Sequence, residues 1–495
     1  MSRVRELTEA AERCHREVAL EFYNTLSGRQ DKLDIVSILK RYPQLYSRES
    51  YDYIMGLGER ECPDERERRF LRLLFTRNYF TDRLKEQSER LANAEGDATV
   101  ECDGQSYPYR ALPVVLANEE DYARRGRLDG AYIARLEQLN PQREEIDAVS
   151  RELTGELGYR NLIELVEKLA RMRIYPLREI CGRFLDETEE LYAERLEQHA
   201  SKTAALSRAQ LRHADIGFLM RARQFDHQFP ADGMAPALAK TLSGLGIDLE
   251  KQKNVTLDLD VRPKKSPRAF CISIDAPHDV RLVLLPRGGQ DDYSTLLHEA
   301  GHLEFSANMA PGLSFLYRQY GDTSVHESYA FLLQHLTSDP VWWHEIMHAD
   351  PGEYLHFSRF ERLYFIRRYS AKLHYEVEYH EAGGGPAPAG QGAFREVYAK
   401  WLERGCAIPY PPQRYLADFD AGFYVAQYLQ AWIWEVQLRE HLRREFGEAW
   451  FTRRSAGDFL RDLWREGMKY DVWEIAGKLG YKGLDIAPLT AEVTG

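Results

Sequence analysis

Two histidines four positions apart, His298 and His302, enclose a glutamate, Glu299, directly after the first. In an α-helix, side chains four residues apart lie on one face, one turn apart, so both imidazoles can reach a single metal ion. Glu299 is turned about 100° around the helix from His298, where it can act on water at the metal but is badly placed to be a third ligand. The stretch therefore predicts a helix that carries half of a tetrahedral zinc site, with Glu299 as general base.

A second copy of the same five-residue pattern occurs at His344, Glu345 and His348. It lies between Pro340 and Pro351, which leave room for only a short helix. We interpret this copy as a solvated helical turn.

The surroundings of the first copy favour a longer helix with a buried side. A turn at Gly288 and Gly289 precedes it, and Asp291 or Asp292 can cap its first turn. Apolar residues then repeat at helical spacing, at Leu296, Leu297, Ala300 and Leu303. The first copy is therefore the predicted metal site.

The overall composition is that of a large globular protein. The chain has 495 residues, 44% of them hydrophobic, enough for a large core and for two or three domains. A formal net charge of −12 argues against nucleic acid or an anionic membrane as the main partner. The six cysteines show no CxxC pair, and the N-terminus lacks an apolar signal core. We expect a protein with reduced thiols, located in the cytoplasm and without a membrane helix.

Residues 1–230 repeat apolar residues at three- and four-residue spacings, which predicts an almost entirely helical region. Clear examples are residues 65–93, 146–171 and 176–198. Loops are predicted at 94–97 and 103–108, where glycine and polar residues cluster. Since no catalytic motif occurs here, we expect an N-terminal helical subdomain (1–230) and a catalytic subdomain (231–495) within one continuous structural unit.

The apolar pattern changes to alternation further along the chain. Segments near 255–259, 270–274 and 280–285 predict a small β-sheet that leads directly into the zinc helix. Helices return after residue 306, interrupted by a glycine- and proline-rich insert at 383–392. This insert is interpreted as a surface loop or a lid.

A catalytic zinc ion needs a third protein ligand and one open position. Glu327, at the start of another apolar helix, is a candidate for this ligand. The same residue fits a second role, because Ser324-x-x-Glu327 has the spacing of a capping box, in which the glutamate reaches back to the amide of Ser324. The spacing alone leaves both roles open.

The runs 265–271, 279–283 and 292–302 resemble peptidase family M3, which contains thimet oligopeptidase and oligoendopeptidase F. In that family a strand with Ala-Phe-Cys leads into His-Glu-x-Gly-His, and a glutamate some 25 residues further on is the third zinc ligand. The resemblance implies that Glu327 is the third zinc ligand. The segment Val325-His-Glu-Ser is also similar to the carboxypeptidase Taq family. The sequence around Glu327 is similar to that of angiotensin-converting enzyme.

The resemblance implies a mostly α fold: a large helical peptidase with a deep central channel and one small β-sheet next to the zinc helix. It also implies one zinc ion per chain and oligopeptides as substrates. In the family the edge of the Ala-Phe-Cys strand pairs with the substrate backbone. Here that strand edge would consist of Ala269, Phe270 and Cys271.

A further family pattern, His-x4-Tyr-x6-Tyr, contacts the transition state. Aligned without gaps it falls on Phe419, Tyr424 and Ala431, so only the first tyrosine is retained. The resemblance therefore makes Tyr424 the first candidate for the donor that stabilises the oxyanion. Further candidates for contacts with the substrate are Tyr415, Tyr428 and His326.

Two other functions are compatible with the same residues. A Taq-type metallocarboxypeptidase would need a basic group for the free carboxylate of its substrate, and Arg281 and Arg414 are candidates, each with a salt-bridged structural role as the alternative. A peptide-binding protein without turnover would keep the site but not need Glu299, and the intact glutamate argues against it.

Overall fold

The computed structural model describes residues 2–383 and 392–495, which are mostly α-helical. The helices of these residues are α1 (Arg3–Leu26), α2 (Ile35–Leu39), α3 (Arg48–Met55), α4 (Glu65–Asp97), α5 (Leu112–Asn118), α6 (Tyr122–Glu156), α7 (Leu162–Ala170), α8 (Ile174–Glu187), α9 (Glu189–Ala204), α10 (His213–Met220), α11 (Met234–Gly244), α12 (Gln290–Ala307), α13 (Phe315–Gln319), α14 (Thr323–Gln334), α15 (Pro340–Trp342), α16 (Tyr354–Glu381), α17 (Gly392–Cys406), α18 (Tyr424–Phe446), α19 (Arg454–Trp464), α20 (Val472–Lys478) and α21 (Ala487–Thr494). Within the described ranges no helix is long and apolar enough to cross a membrane. The predicted insert at 383–392 lies, apart from its two end residues, outside the described residues.

Five strands accompany the helices in the described residues: β1 (Thr99–Cys102), β2 (Gln105–Pro108), β3 (Val255–Asp258), β4 (Phe270–Asp275) and β5 (Asp279–Val283). The last three form one sheet in the order β3-β5-β4, with β3 parallel and β4 antiparallel to β5. This sheet precedes α12 and packs against it, as the alternating pattern predicts. The mostly α fold with a small sheet next to the motif helix is confirmed.

The prediction of loops at 94–97 and 103–108 was wrong. Helix α4 continues through Asp97, and β1 and β2 then form an antiparallel hairpin. Asp103 and Gly104 make its two-residue turn, both with positive φ (51° and 76°). An Asp-Gly pair between alternating residues is a hairpin signal, and burial of Val100 supplies the apolar contact that stabilises it.

Two predicted helices are interrupted. The segment 146–171 is divided because α6 ends at Glu156 and α7 starts after Asn161, whose side chain caps it by accepting the amide of Glu164. The segment 176–198 is divided at Thr188, where α8 ends. Apolar spacing continues across both breaks, so periodicity alone could not reveal them.

The chain forms two compact units, each assembled from separate stretches. The first contains the chain up to Tyr79 together with Arg223–Leu355 and Gln430–Leu489; the second contains Phe80–Ala222, His356–Leu429 and Thr490–Gly495. One border, at Ala222, falls near the predicted boundary at 230, but the N-terminal helices up to Tyr79 group with α12 and the sheet. The units therefore do not follow a simple division into an N-terminal and a C-terminal half.

Candidate metal centre

Helix α12 begins at a glycine turn. Gly288 and Gly289 have φ values of 82° and 94°, which are open to glycine and strained for other residues. Asp292 accepts hydrogen bonds from the amides of Arg287 and Gly288, at 2.7 and 3.0 Å. The predicted side-chain cap by Asp291 or Asp292 was wrong: Gly289 is the N-cap, and Asp292 stabilises the preceding turn.

Close packing of α12 on α14 brings the predicted ligands together. A Cβ atom at Gly301 would lie only 2.5 Å from both the Cα of Ala330 and the carbonyl oxygen of Tyr329. The absence of a side chain at Gly301 therefore allows the two helix backbones to approach, and Glu327 of α14 lies next to His298 and His302.

The three candidate ligand atoms lie close enough together to hold one metal ion. Nε2 of His298 lies 3.5 Å and Nε2 of His302 lies 3.7 Å from Oε2 of Glu327. Ligand atoms about 2.0–2.1 Å from a tetrahedral zinc ion are roughly 3.3 Å apart. All three atoms lie within 4.8 Å of one another, and this is the one such group of metal-ligating side chains found among the described residues. The residues present therefore fit zinc.

Glu327 does not form a capping box with Ser324. Helix α14 is capped by Asp322, whose Oδ1 accepts the amide of Ser324 at 2.9 Å. The amide that Glu327 would need is thus already bonded, and the Glu327 carboxylate is directed to the two histidines instead.

Gln334 is a residue of the site that the sequence reasoning missed. Its Oε1 lies 2.7 Å from Nδ1 of His298. Because an amide oxygen only accepts, Nδ1 carries the hydrogen, which leaves the Nε2 lone pair of His298 for a metal. Gln334 lies two helical turns after Glu327 on the same face of α14, and that spacing was the available signal.

Glu299 is joined to the sheet. Its Oε2 accepts the backbone N–H of Cys271, on β4, at 2.6 Å. Burial raises the pKa of Glu299, while the charge of His298 and this N–H oppose the shift in part. A raised pKa favours uptake of a proton, which suits a general base.

The ring of His302 contacts the ring of His326 at a tilted angle. The rings of His302 and His326 lie 4.1 Å apart at 32°. Burial lowers the pKa of His302 well below its usual value, and burial lowers that of His326 to about 4. For His298, burial also lowers the pKa, but its hydrogen bond with Glu327 and the charge of that carboxylate raise it overall. A neutral His302 can offer a lone pair to a metal.

The second copy of the motif lies on a π-helical turn, Trp343–Met347. The side chain of His344 is 84% exposed and its Nδ1 contacts Oε1 of Glu345 at 3.0 Å. Nε2 of His348 is bonded instead to the Lys240 ammonium group, at 2.7 Å. A lysine ammonium repels a cation, so this copy has the character of the solvated turn that was predicted.

The predicted tyrosines belong to the second compact unit. Tyr424 and Tyr428 lie on α18 with ring centroids 4.8 Å apart. The Tyr415 hydroxyl donates to Oε1 of Glu144 at 2.5 Å. Phe419, at the position of the family histidine, packs against His380 with centroids 5.2 Å apart.

The two candidate arginines lie in different compact units. Arg281 forms a close ion pair with Asp279, at 2.6 Å, and its guanidinium lies 4.3 Å from the ring centre of Tyr23. This matches the salt-bridged structural role. Arg414 lies in the second unit, where its carboxylate-binding role stays a prediction.

Comparisons with known proteins identify a structural relative but no sequence relative. No protein-family model matches the chain, and no curated protein matches it. A solved structure of a "putative oligoendopeptidase F" from Bacillus anthracis str. Ames is similar, with a TM-score of 0.64 and 15% sequence identity. The match covers 99% of this chain and 95% of that one. At this identity the similarity establishes a shared fold over the whole chain.

Proposed function

We propose that this protein is a zinc-dependent peptidase that hydrolyses peptide bonds in oligopeptides. The observation that carries the proposal is the convergence of His298, His302 and Glu327 on one point, with Glu299 beside them. The similarity of the whole fold to a protein described as an oligoendopeptidase supports it.

The roles of the residues follow from their chemistry. His298, His302 and Glu327 would hold the zinc ion, which when bound supplies Lewis acidity that polarises a carbonyl and lowers the pKa of water. Glu299 would take a proton from the attacking water and later give it to the leaving amine. The Cys271 amide keeps the Glu299 carboxylate in a fixed orientation while it does so.

The substrate backbone would be bound by β4. Its residues Phe270 and Cys271, with Ala269 just before them, lie on an edge strand, and main-chain hydrogen bonds to such an edge accept many peptide sequences. His326, next to the ligands, would line the site, and Tyr424 would donate a hydrogen bond to the oxyanion, with Tyr428 and Tyr415 as the alternatives.

A digestion experiment tests this function. The purified protein, either stripped of metal by a chelator or reloaded with zinc, is incubated with a mixed peptide library, and cleavage positions are determined by mass spectrometry. We expect internal cuts only in the zinc-loaded sample. Cuts confined to C-terminal residues would indicate a metallocarboxypeptidase, and peptide retention without any cut would indicate a binding protein.

A further inference from the structure

The outer edge of β4 presents backbone groups in alternation. Successive residues of an antiparallel strand direct these groups towards the neighbouring strand and away from it. The Cys271 N–H points away from β5, because it donates to Glu299. Two positions further, the backbone groups of Ser273 therefore point outward as well. A peptide that adds to this edge would bond to such outward groups; at Cys271 this would be the carbonyl oxygen, because the N–H is already donated to Glu299.

The outward carbonyl of Ser273 already has a partner on another element. Nε2 of His15, on α1, lies 3.2 Å from this oxygen. A carbonyl oxygen only accepts, so His15 donates from Nε2. The imidazole is held from its other side by Phe315, with ring centroids 5.9 Å apart. His15 thus occupies the position that the next ladder bond of an added strand would need.

Beyond Ser273 the edge is covered by charged side chains. Arg16 and Arg318 both pair with Asp275, at 3.0 and 3.3 Å, and Arg318 also donates to the carbonyl of Ala276. The register of β4 on β5 shifts between Ser273 and Asp275. The strand is therefore irregular directly after Ser273, the residue whose carbonyl His15 binds.

We propose that His15 is a specificity-determining residue that limits how far a peptide can pair along β4. The inference rests on the proposed peptidase function. A substrate bound beside Ala269, Phe270 and Cys271 would be paired up to Ser273 and no further, because α1 closes the edge there. Extra residues on that side of the scissile bond would then add little to binding or turnover, whereas residues on the other side would not be restricted by α1.

Two nested peptide series test this limit. Both contain one cleavable bond, and one series is lengthened residue by residue on the N-terminal side, the other on the C-terminal side. In the zinc-loaded parent, we expect kcat/KM to level off at a shorter length in one series. In His15→Ala the Ser273 carbonyl is released, so kcat/KM for the long members of that series should rise about two- to tenfold, the contribution of one backbone hydrogen bond.

Three further variants separate specificity from folding. His15→Asn, too short to reach the carbonyl, should reproduce the alanine result, whereas His15→Gln keeps an N–H donor and should retain the parent profile. His199→Ala removes a comparable imidazole contact, from Nε2 to the carbonyl of Leu219 at 3.0 Å in the second unit, and should change neither series.

An unchanged length profile in folded His15→Ala and His15→Asn, or a uniform change at all lengths, would overturn the inference. A parent protein that cleaves no member of either series would instead count against the proposed peptidase function.

Discussion

At the scale of single residues, Gln334 decides how His298 is presented to a metal. Its amide oxygen fixes the hydrogen on Nδ1 and thereby orients the ring as well as its free lone pair. A hydrogen bond of this kind is part of the metal site although it contributes no ligand atom.

We expect Gln334→Ala to weaken zinc binding by about 10- to 100-fold, because His298 loses the group that orients it. Competition with a chromogenic chelator measures the affinity. Gln437→Ala is the matched control: Gln437 donates to the carbonyl of Gly483 at 3.2 Å and accepts the amide of Asp485, and its loss should leave zinc affinity unchanged. Equal affinity in Gln334→Ala and the parent would remove Gln334 from the site.

A second residue-scale prediction concerns Tyr424. If its hydroxyl stabilises the oxyanion, Tyr424→Phe lowers kcat by at least about tenfold with little change in KM or zinc content. Tyr415→Phe should spare kcat, since the Tyr415 hydroxyl is bonded to Glu144. Steady-state kinetics on one peptide compares the two. A loss in Tyr428→Phe, with Tyr424→Phe unaffected, would show that the family register does not apply to α18. A loss in Tyr415→Phe would place the donor before this helix.

At the scale of elements, the contact between α12 and α14 holds the site together. At Gly301 the two helix backbones approach so closely that a Cβ atom would lie 2.5 Å from the Cα of Ala330. We expect Gly301→Ala to push them apart, to cost about 1–3 kcal/mol of the free energy of unfolding and to weaken zinc binding. Gly130→Ala is the control, because a Cβ atom there meets no atom within 4 Å and alanine is the better helix former.

Chemical unfolding and zinc titration of both variants check this contact. Should Gly301→Ala bind zinc as tightly as the parent, the helix separation would not control the ligand geometry.

Some elements of the fold could be predicted from the sequence and others could not. The motif helix and the three strands before it could be predicted, because periodicity is a local property of the sequence. The breaks at residues 157–161 and at Thr188 could not, because apolar spacing continues across both. Only the first is marked by a side-chain cap, at Asn161. The packing of α1 against the sheet could not be predicted either, because it depends on contacts between residues that are far apart in the sequence, such as His15 with Ser273.

Some residues of the candidate site could likewise be predicted from the sequence and others could not. His298, His302 and Glu299 follow from spacing on one helix, whereas Glu327 needed a family resemblance because its partner helix is separate in sequence. The Gly301 contact and the Gln334 hydrogen bond became visible only with the packing of α14 on α12.

At the scale of the whole molecule, each compact unit contains a largely buried aspartate that is paired with basic side chains. Burial alone would raise the pKa of Asp258, but Arg262 and Lys265 lower it well below its usual range. Burial alone would also raise the pKa of Asp418, but the charges of Arg368 and Lys372 lower it below its usual value.

An aspartate whose pKa is lower in the folded state than in the unfolded state stabilises the folded protein above about pH 4. This stabilisation is lost as the pH falls further. We therefore expect the free energy of unfolding to drop below pH 4. Asp258→Asn should be less stable at pH 7 and lose less on acidification, whereas Asp260→Asn, at a side chain that is 81% exposed, should follow the parent. Denaturant titrations at pH 7 and pH 3.5 measure this, and parallel losses in all three proteins would refute it.

The most direct test of the proposed function is a joint measurement of zinc content and peptide hydrolysis in Glu299→Gln. The substitution keeps His298, His302 and Glu327 and removes only the proposed base. We predict about one zinc ion per chain, as in the parent, and a loss of peptidase activity by several orders of magnitude. Hydrolysis by Glu299→Gln at the parent's rate, with zinc bound, would contradict the proposed mechanism.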